Sequence, residues 1–225
     1  MKRSGLLKIL TACGLLNVAL FVINVRQAGE RAPDGRSMEE ILGVDPAKAT
    51  YADVEKLSRA DTMQLFFAAP APEFGSMQGE YRAKVLSGGV LGPATAFFTH
   101  HVFPTGLMDL QAQWEGKAFT AQGENAGWGY NIFSRKGCGG EQALLRTRKM
   151  RTYVGPTTIG KDGKDSFHLD YAPENRHVII HTMHDEIRQV NENLYICAGY
   201  MAPSGGPLNP GPFVLMGPPT AWLGV

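Results

Sequence analysis

The chain has 225 residues, enough for one domain with a sizeable core and too few for two full ones. Its 22 Lys+Arg against 21 Asp+Glu leave a formal charge of +1, which excludes a global field able to gather nucleic acid, so no such partner is expected. Cys13, Cys138 and Cys197 form no C-x-x-C pair, which excludes a zinc knuckle or thioredoxin-type motif; the last two either pair in an oxidising compartment or stay as buried thiols.

Residues 1–25 begin with Lys2, Arg3 and Lys8, run without charge from Ile9 to Val25, and are closed by Arg26. A helix needs roughly 20 residues to cross a hydrocarbon core of about 30 Å, so residues 5–25 are expected to anchor the chain in a membrane. The positive-inside rule then puts the N-terminus in the cytoplasm and the domain on the exoplasmic side, a single-pass arrangement. Two alternatives stay open. One is a cleaved signal peptide and a secreted domain, although the exit at Val25 to Gly29 offers no clean small-x-small site; the other is lipidation at Cys13.

Residues 26–50 are polar and carry Pro33, Gly35 and Pro46, which reads as a linker with one short helix around Ser37 to Leu42. The rest, 51–225, is the expected domain. Thr50 with Asp53 and Ser58 with Asp61 each place a hydroxyl three residues before an acid, predicting two short helices that end before Pro70. Leu57, Met63, Leu65, Phe66 and Phe67 would anchor them on the domain.

From Tyr81 the period becomes two. Tyr81, Ala83 and Val85 alternate with charges, Trp114, Gly116 and Ala118 with Glu115 and Lys117, and Trp128, Tyr130 and Ile132 with Gly129 and Asn131. Further strands are expected over Arg146 to Val154, Ser166 to Tyr171, Arg176 to Met183, Glu186 to Val190, Leu194 to Met201 and Pro212 to Met216. Eight or nine strands joined by Gly, Pro, Asp or Asn turns predict a mainly β fold, an antiparallel lipocalin-like barrel whose closure removes exposed edges. Gly92 to Phe103, too long and apolar for a turn, is expected to be a helix lying over one barrel mouth as a lid.

Gly79 to Tyr81, Trp114 to Phe119, the basic strand Arg146 to Arg151, Phe167 to Tyr171, Asp185 to Val190, Leu194 to Gly199 and Phe213 to Leu215 follow one another as successive blocks. Over residues 79–216 this order and spacing resembles the bacterial GXWXG-type proteins, with Tyr81 standing where that family has its first Trp. The resemblance implies a calycin-like small barrel and no particular chemistry.

The densest polar cluster is His181, His184, Asp185, Glu186 and Arg188, joined by His168 and Asp170. His168, Asp170, His181, Asp185 and Glu186 are the candidates for acid/base work. His181 and His184 are three apart, so they face opposite sides of a continuous strand. A metal site would need a bulge between them, or His168 and Asp170 as partners, and no metal or cofactor is expected. His100 and His101, adjacent in the lid, face different ways.

Alternation splits the basic run, leaving Arg146 and Arg148 on one face and Lys149 and Arg151 on the other. Arg146, Arg148 or Arg188, if inward, would hold the carboxylate or phosphate of an amphipathic ligand. Trp114, Phe119, Trp128, Tyr130 and Phe133 either fill the barrel or line its cavity. The leading expectation is a membrane-tethered binding protein for a small apolar or amphipathic, lipid-like, possibly anionic molecule. The alternatives are a non-enzymatic accessory subunit of a membrane assembly, and an isomerase or hydrolase of a lipid-like substrate. The oligomeric state is not legible.

Overall fold

The period-two segments become eight strands: β1 (Gly79–Val85), β2 (Ala112–Ala121), β3 (Gly127–Lys136), β4 (Gln142–Pro156), β5 (Asp165–Asp170), β6 (His184–Asn191), β7 (Leu194–Tyr200) and β8 (Gly211–Thr220). Each pairs antiparallel with the next, and β8 pairs back to β1, which closes the barrel and leaves no free edge. The computed structural model describes residues 3–29, 31–137 and 140–224, with residues 3–10 as backbone only.

Arg176 to Met183 is no strand. It is a turn ending in a short 3-10 segment, Ile180–Thr182, whose Ile179 and Ile180 amides donate to His177 Nδ1. That local cap satisfies the backbone inside the loop, so the count is eight.

Among the described residues, five helices surround the barrel: α1 (Arg3–Gln27), α2 (Met38–Leu42), α3 (Tyr51–Glu55), α4 (Arg59–Ala68) and α5 (Gly92–Phe97). Ser37 and Glu40 form a reciprocal capping box at α2, Thr50 and Asp53 another at α3, and the Ser58 hydroxyl accepts from the Asp61 amide at α4. Met63, Leu65, Phe66 and Phe67 of α4 pack on the outer side chains Val190, Ile196, Ala198 and Val214. Residues 26–50 are not a free linker: Ala28, Ile41, Leu42 and Ala49 are buried in this same cluster, and Asn191 Nδ2 donates to the Pro46 and Ala49 carbonyls. Their short apolar spacing, hidden among polar residues, is enough to dock them.

Among the described residues, no helix is long and apolar enough to cross a membrane. The end of α1 is instead docked on the domain. Asn24 is buried and bridges Asn209 Oδ1 (2.7 Å) and the Leu91 amide (3.0 Å), and Gln27 Oε1 accepts from Val90.

The barrel is filled at one end. Phe74 stacks on Phe167 at 5.6 Å, Phe167 meets Phe119 edge-on, and Tyr81 packs between Phe119 and Tyr195. At the other end the lid, α5 continuing into a π-helical turn over Phe98–Val102, covers the mouth with Phe98 and Phe103 against the core.

Candidate functional site

Beneath that lid is a cavity of about 220 Å³. Its walls are mostly apolar, with Val85, Phe98, Phe103, Trp114, Met183 and Phe213, its floor carries Lys117 and Asp185, and Arg59, Asn24 and Asn209 line it on the side of α1. A larger recess of about 420 Å³ beside Ser87, Gly89 and Gln113 is more open and equally polar and apolar, so it holds a small molecule less well.

Lys117 reaches the interior through a β-bulge. Strict alternation from Trp114 would send it outward, but the β2–β3 register shifts between Trp114 and Gly116, and one residue of slip turns Lys117 inward. Gly116 makes the bulge possible, since a Cβ there would lie 2.0 Å from the Tyr81 carbonyl oxygen. Lys117 is 2% exposed; its Nζ donates to Asn131 Oδ1 at 2.8 Å and to Tyr171 OH at 2.6 Å, and is ion-paired with Asp185 Oδ2 at 2.8 Å. Tyr171 OH in turn donates to Asp185 Oδ2 at 2.9 Å, and Trp114 Nε1 donates to Asn131 Oδ1 at 3.1 Å. Burial, with the Asp185 charge beside it, pushes the Tyr171 phenol well above its ordinary range, so it stays a donor.

Every hydrogen bond found on Asp185 among the described residues falls on Oδ2. Oδ1 lies against Gly199, where a Cβ would sit 2.2 Å away, and Gly199 also lines the cavity. The floor is therefore a neutral ion pair that offers one unfilled acceptor. A buried pair of this kind costs several kcal/mol per ion in desolvation, so it is weak as a stabilising device and points to a use.

Other predicted residues lie elsewhere. Arg146 faces outward, bidentate on Glu80 at 2.7 and 3.1 Å, because its partner position Ile132 is on the outer face. Arg148 sits at the β3–β4 irregularity with φ 57° and donates to the Phe103 carbonyl at 2.7 Å, so it ties down the lid. Arg188 is buried outside the barrel under α4, paired with Asp162 at 3.0 Å and donating to Ser166 and the Ala69 carbonyl. None of these three arginines lines the cavity, which corrects the expected anchor.

Trp128 and Tyr130 also face out. Lys149 lies 4.0 Å and Arg151 4.5 Å from the Trp128 ring, while Tyr130 packs under Trp222. Small inward residues, Gly127, Gly129 and Asn131, make room for Met150 and Lys117. Phe119 and Phe133 belong to the filled core, and Trp114 is the predicted aromatic that lines the cavity.

The polar cluster splits across the sheet. Asp185 points inward, whereas His168, His184 and Glu186 point outward, Asp170 accepts from the Ala172 amide at the end of β5, and His181 is exposed in the turn. On the outer face, His168 Nδ1 is 2.8 Å from His184 Nε2 and 4.0 Å from Glu186 Oε1. His168 is stacked on Tyr153, and its Nε2 faces the Gly155 carbonyl at 3.0 Å. Burial would raise the Glu186 carboxyl, but hydrogen bonds from Thr157, Thr158 and Ser166 hold it below the usual carboxylate range. Cys197 is a buried thiol in the core, while Cys138 and the expected pairing with it lie outside the described residues.

The sequence reading missed Lys117, Asn131 and Tyr171. Gly116 beside a charge in an otherwise apolar strand is the signal that points to the bulge.

No protein-family model and no curated protein matches the chain. Among solved structures, the crystal structure of a protein from Thermomonospora curvata is similar over 73% of this chain and 90% of that one, at 14% identity and a TM-score of 0.48.

Proposed function

We propose that this protein binds a compact apolar molecule carrying a neutral hydrogen-bond donor, in the cavity between the lid and the Lys117–Asp185 floor. The observation that carries the reading is the unfilled Asp185 Oδ1 at the base of an apolar cavity. An acceptor at the floor gains a hydrogen bond from a hydroxyl or N–H and repels a carboxylate, so a neutral donor suits the Asp185 end of the cavity. Size supports the same class. An apolar cavity of about 150 Å³ admits benzene, and about 220 Å³ takes a ring system somewhat larger, well short of a long acyl chain.

The membrane side of the proposal rests on where apolar surface is left bare. Leu15, Leu16, Val18, Val22 and Ile23 of α1 are exposed, and so are Phe97, Leu107, Met108 and Leu110 beside the covered mouth. Exposed apolar side chains on α1 and beside the mouth suit the boundary of a bilayer, and a bilayer meeting this mouth would deliver an apolar ligand directly. In that arrangement α1 is the tether and the lid faces the lipid.

A second reading, an isomerase acting on such a molecule, is favoured by the same Oδ1, a carboxylate oxygen without a hydrogen-bond partner among the described residues at the base of the cavity. Native mass spectrometry of the full chain, released from detergent, tests binding. A co-purified compact neutral molecule supports the proposal. A bound long-chain fatty acid, or a chain that carries and accepts nothing from a panel of cyclic alcohols and secondary amides, contradicts it.

A further inference from the structure

The outer-face cluster on β5 and β6 is separate from the cavity and has donor chemistry of its own. Register pairs His168 with Glu186, and His184 lies two residues before Glu186 on the same face. His168 Nδ1, His184 Nε2 and a Glu186 carboxylate oxygen all lie within 4.8 Å of one another. We propose that His168, His184 and Glu186 bind a divalent first-row cation of the zinc type.

Three features beyond proximity carry this. The Gly155 carbonyl facing His168 Nε2 calls for a proton there, which leaves the Nδ1 lone pair directed at the cluster. Metal-binding histidines are oriented in this way, by a backbone carbonyl on the far nitrogen. Glu186, fully buried, takes hydrogen bonds from Thr157 Oγ1 at 2.6 Å and from the Thr158 amide and hydroxyl at 2.7 and 2.6 Å. Its charge has no Lys or Arg ion pair among the described residues, so a cation would neutralise it.

Ligand spacing agrees with the assignment. Ligands about 2.0–2.1 Å from a tetrahedral ion lie roughly 3.3 Å apart, between the 2.8 Å of the histidine pair and the 4.0 Å to Glu186. Side-chain rotations that open the histidine pair and draw the carboxylate inward close the set. Two imidazoles and one carboxylate is the donor set of zinc sites that keep one position for water, and the half-buried His184 gives the ion a route in.

The test is calorimetric titration of the metal-stripped full chain with Zn²⁺, paired with the visible absorption of Co²⁺. One Zn²⁺ per chain and a Co²⁺ band of a low-coordinate site are expected. Both are lost in His184→Ala and in Glu186→Gln, the second keeping the side-chain volume, and both persist in His181→Ala, which alters only the exposed neighbouring turn. Absence of binding in the parent chain overturns the proposal. So does binding that survives both ligand substitutions, or binding that disappears with His181.

Discussion

The Lys117 ammonium lies 2.8 Å from the Asp185 carboxylate inside the barrel, with 3% of each side chain exposed. Removing one member leaves the other charged, buried and without its partner. Lys117→Met is therefore expected to cost roughly 3–5 kcal/mol, and the double substitution Lys117→Met with Asp185→Leu to be more stable than the single one. Urea denaturation of the parent, both single variants and the double variant checks this; additive losses would show that the pair is not coupled.

Arg59 gathers the mouth. Burial lowers its guanidinium to about 10, and it donates to the Gly88 and Pro210 carbonyls and to Asn209 Oδ1, the same oxygen that Asn24 holds. Arg59→Ala leaves the Gly88 and Pro210 carbonyls unmatched, at about 1–3 kcal/mol each for groups that water cannot reach, while Asn209 Oδ1 keeps Asn24. Hydrogen exchange is expected to quicken at residues 88–91 and 209–211 and to stay slow in β3 and β4. Uniform quickening would mean the whole barrel had loosened instead.

Acid should act through Glu80. Burial raises its carboxyl, but the hydrogen bonds from Arg146 and Tyr130 outweigh this and hold it below its ordinary value. A depressed carboxyl stabilises the fold above the unfolded value of about 4.3, and that contribution disappears as pH falls through the lower folded value. Glu80→Gln is expected to lower stability near neutral pH and to flatten its decline below about pH 4.5. An unchanged acid limb in melting curves across that window contradicts the assignment.

A chain beginning at Ala49 lacks Ala28, Ile41 and Leu42 and bares the partners they cover around Val190 and Leu194. It is expected to be less stable than the full chain and to aggregate, whereas a chain beginning at residue 26 keeps that cluster whole. Equal midpoints in denaturant for the two would make residues 26–48 a true linker.

The strands were readable because half-buried positions recur every second residue, and the caps at Thr50 and Ser58 because a hydroxyl and an acid at that spacing satisfy bare amides. Period two says which side chains share a face and not which face is inside. Trp128 and Tyr130 illustrate this: they share a face, but Lys149, Arg151 and Trp222 cover it from outside. The site was less legible, since a bulge of one residue at Gly116 moves Lys117 from water to the floor of the cavity. Asp185 was within reach of the sequence, while its partners Lys117 and Tyr171, and the Asn131 bonded to both of them, lie on other strands and turns.

Calorimetric titration of the full chain with cyclohexanol, beside Val85→Phe and Asp185→Asn, tests the central claim most directly. Val85→Phe pushes a ring into the cavity, and Asp185→Asn leaves the volume but removes the charged acceptor. Saturable binding with a negative heat-capacity change is expected for the parent chain, abolished by Val85→Phe and weakened by Asp185→Asn by roughly 1.5–3 kcal/mol, the range for a hydrogen bond to a charged group. Binding unaltered by Val85→Phe would place the ligand outside the cavity and contradict the account.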